Sequence, residues 1–283
     1  MAIRLFPRGH LGSRPPTGPF TINRDSPQAK GLAAWFPPLR YRTNVYIDLV
    51  SGIIGTFNGT VDPWIDKDVG FAHLFDATTD FINIPDNDIF SANPELTVSV
   101  WFIPDSVTGG QLVVSKGSTS YEWEMGPFGT AVRCSTRVAA GGFHLDVSGS
   151  TIAIGDLVHL VMTVNVSTPI LSAYKNGVLV GTDTTAANTP YANGTAPLRI
   201  ARRADNSNQF YGKVGDVRIY NRILTPAEVY QQWSPETRWD LYLSVAPRFW
   251  SVPAAAPPAG VAMPIFGNDD QLFGSIFGGA IVR

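Results

Sequence analysis

Short apolar runs separated by turn-forming residues fill the chain between about residues 31 and 233. The runs LTVSVWF (96–102) and LVHLVMTV (157–164), and the pair ILSAY and VLVGT, have the length and the β-branched content of strands. The dipeptide Asn176-Gly177 lies between the last two runs, and it is the strongest short-range signal for a hairpin. Long helical periodicity occurs only over 225–233, so the pattern predicts a sandwich of two antiparallel sheets.

The stretch GKVGDVRIYNRILTPAEV (212–229) predicts a buried strand that leads directly into a short helix. Val214 and Val217 are separated by three positions, whereas a regular strand repeats every two. This slip indicates a bulge near Gly215 and Asp216.

The helix start is readable from its capping residues. Thr225 is a candidate N-cap, Pro226 suits the first helical position, and Glu228 completes a capping box. Leu224 and Val229 flank the cap as a hydrophobic staple. The sequence therefore predicts one notable helix that begins near Thr225.

The two ends of the chain differ in composition from the body. The first segment is interrupted by proline and glycine and carries five basic side chains against one acidic side chain. The last segment is aromatic and repeats an aliphatic-Phe-Gly unit, with the rings at Phe266, Phe273 and Phe277. We predict three parts, a basic Pro/Gly-rich N-terminal arm (1–30), a sandwich (31–233) and a Pro/Gly-rich C-terminal extension (234–283). We expect both arms to pack mainly on other subunits.

Several segments of the body occur in the order found in one known family. They are GLAAWFPP, FDATTDFINIPD, LTVSVWF, YKNGVLVGT and the closing stretch GKVGDVRIYNRIL. Residues 31–233 thus resemble a laminin-G-like jelly roll of the concanavalin A-like lectin/glucanase superfamily, although Gly215 replaces an Asp of the closing pattern. The resemblance implies an all-β, two-sheet antiparallel jelly-roll sandwich with extended N- and C-terminal arms, in which the short helix plugs one open end.

Composition and charge exclude several classes of function. A net charge of −2 gives no argument for nucleic acid, and the pair Arg202-Arg203 alone does not indicate such a site. No apolar run approaches the roughly 20 residues of a membrane span, and the N-terminus lacks the apolar region of a secretory signal. Cys134 is the single cysteine, so we predict a core residue and no intramolecular disulfide.

Glu122 and Glu124 are the candidate catalytic pair, since alternate residues of a strand point to one side. A retaining glycosidase needs two carboxyl groups about 5–5.5 Å apart. The resemblance implies a third acidic position along the same strand, and here Met125, Gly126 and Pro127 follow instead. We therefore interpret the pair as a solvent-facing strand surface and predict that the chain is not an enzyme, with no catalytic residue assigned.

Acidic residues are concentrated between positions 62 and 105, where loop carboxylates could supply the hard oxygen ligands that calcium prefers. The family resemblance makes Asp76 and Asp80 the candidate ligands. Surface aspartates are more often simply solvated, and the spacing matches no calcium loop. We predict no cofactor and no metal site, and calcium at this pair is the alternative left open. His159 alternates within a strand, and we predict a structural role for it.

Sugar binding would need an aromatic platform beside convergent polar groups. The candidates are Trp64, Tyr121, Trp123 and Tyr191. A core position is an equally good interpretation of each ring, because the sequence does not place them on one surface.

The predicted function depends mainly on the two arms. A sandwich bracketed by a basic arm and an apolar tail suits a subunit that straps itself onto neighbours. The texture of the tail also resembles extensions of laminin-G-like proteins in tailed-phage structural modules. We predict a non-enzymatic structural protein of a phage particle, a capsid decoration or minor virion protein attached through its arms. A carbohydrate-binding adhesin or lectin module is the alternative, and a glycoside hydrolase is third.

The predicted localisation follows from that role. We expect the chain in the virion, assembled in the host cytoplasm, as a homo-oligomer whose partners are other virion proteins such as the major capsid protein. Surface glycans are further candidate partners, and we expect neither nucleic acid nor a membrane span.

Overall fold

Strands dominate the architecture of the computed structural model, which describes residues 19–38, 44–66, 70–76, 78–92, 94–118, 122–137, 143–185 and 194–245. The strands of this described part are β1 (Phe20–Ile22), β2 (Leu32–Phe36), β3 (Val45–Ile47), β4 (Ile54–Asn58), β5 (Asp62–Asp66), β6 (Gly70–Asp76), β7 (Phe81–Ile84), β8 (Glu95–Pro104), β9 (Val114–Lys116), β10 (Trp123–Phe128), β11 (Ala131–Arg137), β12 (Phe143–Thr151), β13 (Val158–Asn165), β14 (Ile170–Lys175), β15 (Val178–Asp183), β16 (Leu198–Ile200), β17 (Tyr211–Tyr220) and β18 (Tyr242–Ser244). The helices are α1 (Pro226–Trp233) and the two 3₁₀ turns Pro27–Ala29 and Asp88–Phe90.

Two antiparallel sheets form the sandwich. The front sheet has the strand order β12-β11-β10-β9-β16-β7-β4-β3. The back sheet has the order β15-β14-β13-β8-β17-β6-β5, and β2 pairs with the second half of β17. The prediction of an all-β, two-sheet antiparallel jelly-roll sandwich is confirmed.

The main core fills the space between the two sheets. Val98 and Val100 from the back sheet and Trp123 and Met125 from the front sheet are fully buried there. The side chains alternate along each strand, so every second residue enters this core. Cys134 lies in it as predicted, and burial raises the pKa of its thiol far above the ordinary value.

The predicted bulge in β17 is confirmed. The pairing of β17 with β8 is in register up to Val214 and resumes at Val217 after a shift. Val214 and Val217 both face the main core, and the extra residue leaves Asp216 buried near Arg218 on the outer side of the back sheet. The bulge therefore positions a charged pair on that side.

The predicted hairpin and helix cap are also confirmed. Asn176 and Gly177 have φ values of 54° and 77° between β14 and β15, the left-handed region that this dipeptide favours. At α1 the Thr225 hydroxyl accepts from the Glu228 N–H at 3.3 Å, and the Glu228 carboxylate accepts from the Thr225 N–H at 2.9 Å. The described part of the chain has no helix that is long and apolar enough to cross a membrane.

A second apolar layer covers the outer side of the back sheet. Strands β1 and β18 pair with each other, and their residues pack with α1 against Trp35 and Tyr220. The Phe20 ring meets Tyr242 edge-on, with centroids 4.7 Å apart. The prediction that the arms pack mainly on other subunits is thus wrong for 19–30 and 234–245, because these segments bury their aromatic rings on their own sandwich. Residues 1–18 and 246–283, with the three repeated Phe-Gly units, lie outside the described residues, and the domain boundaries stay a prediction.

Candidate functional site

The outer side of the front sheet carries a row of polar side chains. Strand pairing aligns Glu124 with Ser115, Ser115 with Arg199, and Arg199 with Asn83 across four neighbouring strands. These residues alternate with core residues such as Trp123 and Ile200, so the row faces away from the main core. Helix α1 and the paired strands β1 and β18 pack on the outer side of the back sheet, so the polar row of the front sheet is the first candidate for a ligand-binding surface.

A polar cleft lies at one end of this row, where two adjoining hollows share Gly110, Gln111 and Asn208. The two hollows together form what we call the polar cleft. The first hollow is also lined by Glu124, Phe128 and Arg133. The second hollow is also lined by Ser106, Thr108, Ser207, Gln209 and Tyr211. The second hollow is open to solvent and has a volume of about 460 Å³, a size suited to a small ligand, whereas the first has a volume of about 30 Å³.

Two loops distant in the sequence are tied together to build the polar cleft. Asn208 Nδ2 donates to the Gly110 carbonyl at 2.9 Å, and the Tyr211 N–H donates to Gln111 Oε1 at 3.0 Å. Gly126 allows the close approach, because a Cβ there would lie 2.3 Å from the Gln111 carbonyl oxygen. The walls are therefore fixed before any ligand arrives, which lowers the ordering cost of binding.

Exposed aromatic rings lie in both hollows. Phe128 is 52% exposed and Tyr211 is 43% exposed. The Arg133 guanidinium lies 4.9 Å from the Phe128 ring centroid, and Arg133 Nε donates to Asp146 at 2.9 Å. An aromatic ring that is exposed and fixed in position, with amide and hydroxyl groups beside it, forms a surface on which a sugar ring can stack.

Glu124 is the carboxylate of the polar cleft among the described residues. Its side chain is 9% exposed, and Oε2 lies 3.7 Å from Arg203 Nη1. Arg203 in turn contacts Asp205 at 3.2 Å and donates to the Ser207 hydroxyl at 2.8 Å. The loop after β16 thus places a cation next to this carboxylate.

Glu122 has a different neighbourhood from Glu124. It is 1% exposed, its Oε1 lies 2.8 Å from Lys116 Nζ, and it accepts from the Gly194 N–H at 3.1 Å. Burial raises the pKa of its carboxyl above the ordinary value, and the contact with Lys116 opposes that rise. The interpretation of Glu122 and Glu124 as a solvent-facing strand surface is wrong, since alternation fixes only the side of the strand and other segments cover both groups.

Of the four candidate rings for a sugar-binding platform, the structure describes Trp64 and Trp123, which lie in different sheets. Trp123 is fully buried in the core and donates from Nε1 to the Phe90 carbonyl at 2.8 Å, so of its two interpretations the core position holds. Trp64 is 42% exposed on β5, and it lines neither hollow of the polar cleft. Tyr121 and Tyr191 lie outside the described residues.

Neither Phe128 nor Tyr211 was among the candidate rings predicted from the sequence. The only local signal for Phe128 is its position between Pro127 and Gly129, which marks a turn tip where a ring would be exposed. Tyr211 is the first residue of a strand whose other residues are mostly buried, so no local sequence signal indicates that its ring is exposed.

Asp76 and Asp80, the candidate calcium ligands, organise a turn between β6 and β7. Asp76 Oδ1 accepts from the N–H groups of Thr78 and Thr79 at 2.8 and 3.0 Å, and Asp80 Oδ1 accepts from the Thr60 N–H at 2.7 Å. Desolvation opposes ionisation of Asp76, but hydrogen bonds led by that of the Thr78 hydroxyl hold its pKa well below the usual range. In the described ranges no three His, Cys, Asp or Glu side chains are grouped as metal ligands, and calcium at this pair stays an untested alternative.

His159 is buried between the back sheet and its outer layer. Its Nε2 shares a 2.9 Å hydrogen bond with the Ser99 hydroxyl, and its ring stacks on Trp101 with centroids 4.6 Å apart. Burial, with the nearby charges of Arg218 and Arg238, lowers the pKa of His159 to about 3. The imidazole is therefore neutral in the folded protein at pH 7.

This depressed pKa predicts a loss of stability in mild acid. Between the folded pKa of about 3 and the unfolded value near 6.5, the unfolded chain binds the extra proton, so stability falls as pH falls. We expect the free energy of unfolding to decrease by about 1 kcal/mol between pH 6.5 and pH 5.5 from this group. Urea unfolding of the wild type and of His159→Gln at both pH values measures it. An identical pH dependence in the two proteins would refute the assignment.

A laminin G family model, described as the concanavalin A-like lectin/glucanases superfamily, matches residues 76–230, more than half of the chain. No curated protein matches in sequence.

Solved structures with the same fold include binding domains and parts of hydrolases. The binding domain of Paraclostridial Mosquitocidal Protein 1 is 17% identical, with a TM-score of 0.58 over 73% of this chain and 52% of that one. Domain 4 of AbnA, a GH43 extracellular arabinanase from Geobacillus stearothermophilus solved with arabinotriose, is 20% identical, with a TM-score of 0.56 over 72% and 98%. A Trypanosoma rangeli sialidase solved with sialic acid is 15% identical, with a TM-score of 0.55 over 75% and 33%. The chain thus spans about half of the first of these structures and nearly all of the second.

Proposed function

Because the chain belongs to the concanavalin A-like lectin/glucanases superfamily, we propose that it is a carbohydrate-binding module that holds an oligosaccharide in the polar cleft without cleaving it. The observation that carries this proposal is the pairing of two exposed rings, Phe128 and Tyr211, with a cleft that amide, hydroxyl and charged side chains also line. The arabinotriose bound to Domain 4 of AbnA, which this chain matches over nearly its whole length, makes glycans the first ligand class to test.

The carboxylates support binding rather than hydrolysis. Glycoside hydrolysis uses two carboxyl groups that flank the scissile bond. Within the described residues Glu124 is the acidic side chain that lines the polar cleft, whereas Glu122 is engaged by Lys116 at the end of the sandwich. A single carboxylate can accept hydrogen bonds from sugar hydroxyls, but it does not provide both an acid and a nucleophile.

The virion role predicted from the sequence depends on the arms. The parts of the arms that the structure describes, 19–30 and 234–245, are occupied by packing on their own sandwich. The structural role, the virion location and the capsid partners therefore depend on residues 1–18 and 246–283 and stay predictions.

Replacing either exposed ring is expected to weaken glycan binding. Phe128→Ala and Tyr211→Ala should each raise the Kd about tenfold, equivalent to ~1.4 kcal/mol, because a sugar covers only one face of each ring. Isothermal titration with the oligosaccharide that gives the strongest signal on a glycan array, starting from arabinotriose, measures this.

A matched control is available on the opposite side of the molecule. Tyr230 on α1 is 55% exposed, and Tyr230→Ala should leave the Kd unchanged. Equal losses in all three variants, or none in the two cleft variants, would place the glycan elsewhere.

A further inference from the structure

Two arginine side chains lie over a single aromatic ring on the outer side of the front sheet. The Cζ atoms of Arg199 and Arg202 are 4.5 and 5.2 Å from the centroid of the Phe81 ring. Arg199 lies on β16, Phe81 begins the neighbouring strand β7, and Arg202 follows directly after β16. The ring therefore holds two positive charges close together.

The described carboxylates near this pair contact a different arginine. Glu124 and Asp205 approach Arg203 at 3.7 and 3.2 Å, and Asp205 also accepts from the Ser207 N–H at 3.0 Å. Among the described residues, neither Arg199 nor Arg202 forms a salt bridge. Burial and then the charge of Arg202 lower the pKa of Arg199, and Asp205 offsets this only in part.

Within the described residues, the acceptors that hold the two guanidinium groups are neutral, and they do not engage every N–H donor of these groups. Arg199 Nε donates to Asn83 at 3.1 Å, and its Nη1 donates to Asn206 Oδ1 at 2.8 Å. Arg202 Nη2 donates to the Asn206 carbonyl at 3.2 Å, while its buried Nε has no acceptor within the described part of the chain. The pair is thus fixed in place and short of negative charge.

We propose that Arg199 and Arg202 bind a carboxylate group of an acidic sugar, so that the ligand of this face is a glycan containing uronic-acid-type rings. A guanidinium is suited to a carboxylate because its N–H groups form paired hydrogen bonds with the two oxygens. The loop after β16 connects this subsite to the polar cleft, since it carries Arg202 near its start and the cleft residue Asn208 near its end. The identity of the ligand rests on the proposed function, whereas the anion site itself does not.

Matched ligands test the preference for acidic sugars. Wild type and the double variant Arg199→Gln/Arg202→Gln are applied to a glycan array that carries uronic-acid oligosaccharides beside their uncharged methyl esters. We expect about tenfold stronger binding of the free acids by the wild type, a preference that decreases with added salt and disappears in the double variant. Arg24→Gln, which changes an exposed arginine near β1, should keep the preference. Equal binding of acid and ester by the wild type, or an unchanged preference in the double variant, would overturn the proposal.

A small probe separates this subsite from the proposed function. Glucuronate is titrated into ¹⁵N-labelled protein while the Nε–H signals of the arginine side chains are followed, with glucose as the uncharged control. If glucuronate, but not glucose, shifts the Arg199 and Arg202 signals saturably, the subsite is supported even when no oligosaccharide binds in the polar cleft. Unmoved signals overturn the subsite and leave binding of neutral glycans in the polar cleft intact.

Discussion

Replacing Asp216 by alanine is expected to lower the free energy of unfolding by about 3–5 kcal/mol, because the change leaves a buried guanidinium without its anion. Asp216 and Arg218 are 4% and 1% exposed, and Arg218 Nε donates to Asp216 Oδ2 at 2.7 Å. Burial alone would lower the pKa of Arg218, but the charge of Asp216 raises it above the ordinary value. The charged pair is therefore strongly coupled.

The Asp216–Arg218 pair also joins the second apolar layer to the back sheet. Trp35 Nε1 donates to the other oxygen of Asp216, and Arg218 Nη1 donates to Gln28 Oε1. Gln28 Nε2 then donates to the Thr237 carbonyl at 2.6 Å. Loss of Asp216 should therefore loosen the packing of the paired strands β1 and β18 as well as the bulge of β17.

Urea unfolding at pH 7 measures the effect of Asp216→Ala. The control is Asp105→Ala, which removes a partly exposed ion pair with Lys213 at 2.7 Å and should cost no more than about 1 kcal/mol. The double variant Asp216→Ala/Arg218→Met should recover part of the loss, since no unpaired charge remains. Similar small losses in both single variants would contradict the role given to the buried pair.

Replacing Lys116 by methionine is expected to have an effect of the same size, about 3–5 kcal/mol. Lys116 is fully buried, and its Nζ contacts Asp86 and lies 2.8 Å from Glu122. It also donates to the carbonyls of Gly194 and Ala196 at 3.2 and 3.1 Å. Without the ammonium group, the buried Glu122 carboxylate would have no counter-charge among the described residues.

The pH dependence gives the Lys116→Met prediction a second readout. A carboxyl whose folded pKa is raised contributes stability below its unfolded pKa and loses it as pH rises through the folded value. Burial already raises the pKa of Glu122, and removing Lys116 removes the contact that opposes the rise. The variant should therefore lose more stability between pH 5 and pH 7 than the wild type, and Lys116→Met/Glu122→Gln should restore most of it. Parallel pH profiles of the single variant and the wild type would contradict the ion pair.

Local features of the fold were predictable because neighbouring residues determine them. The β17 bulge follows from the spacing of Val214 and Val217, and the helix cap follows from Thr225 and Glu228. The hairpin at Asn176 follows from the same kind of short-range signal. Each depends on backbone conformation over a few residues.

The candidate site was not predictable because it depends on contacts between distant segments. Gln111 and Tyr211 are 100 positions apart in the sequence, yet their hydrogen bond helps to form the polar cleft. The burial of Glu122 depends in the same way on Lys116 and on the segment at Gly194. Alternation along a strand predicts which side a residue faces, but not which loop covers it.

The central claim, that an oligosaccharide binds in the polar cleft, is tested most directly by a ¹H–¹⁵N titration of the whole chain with the best ligand from the glycan array. We expect saturable shifts centred on the backbone amides of Gly110, Gln111 and Asn208, with little change on α1. Shifts confined to other surfaces, or the absence of saturable binding by any glycan on the array, would contradict the claim.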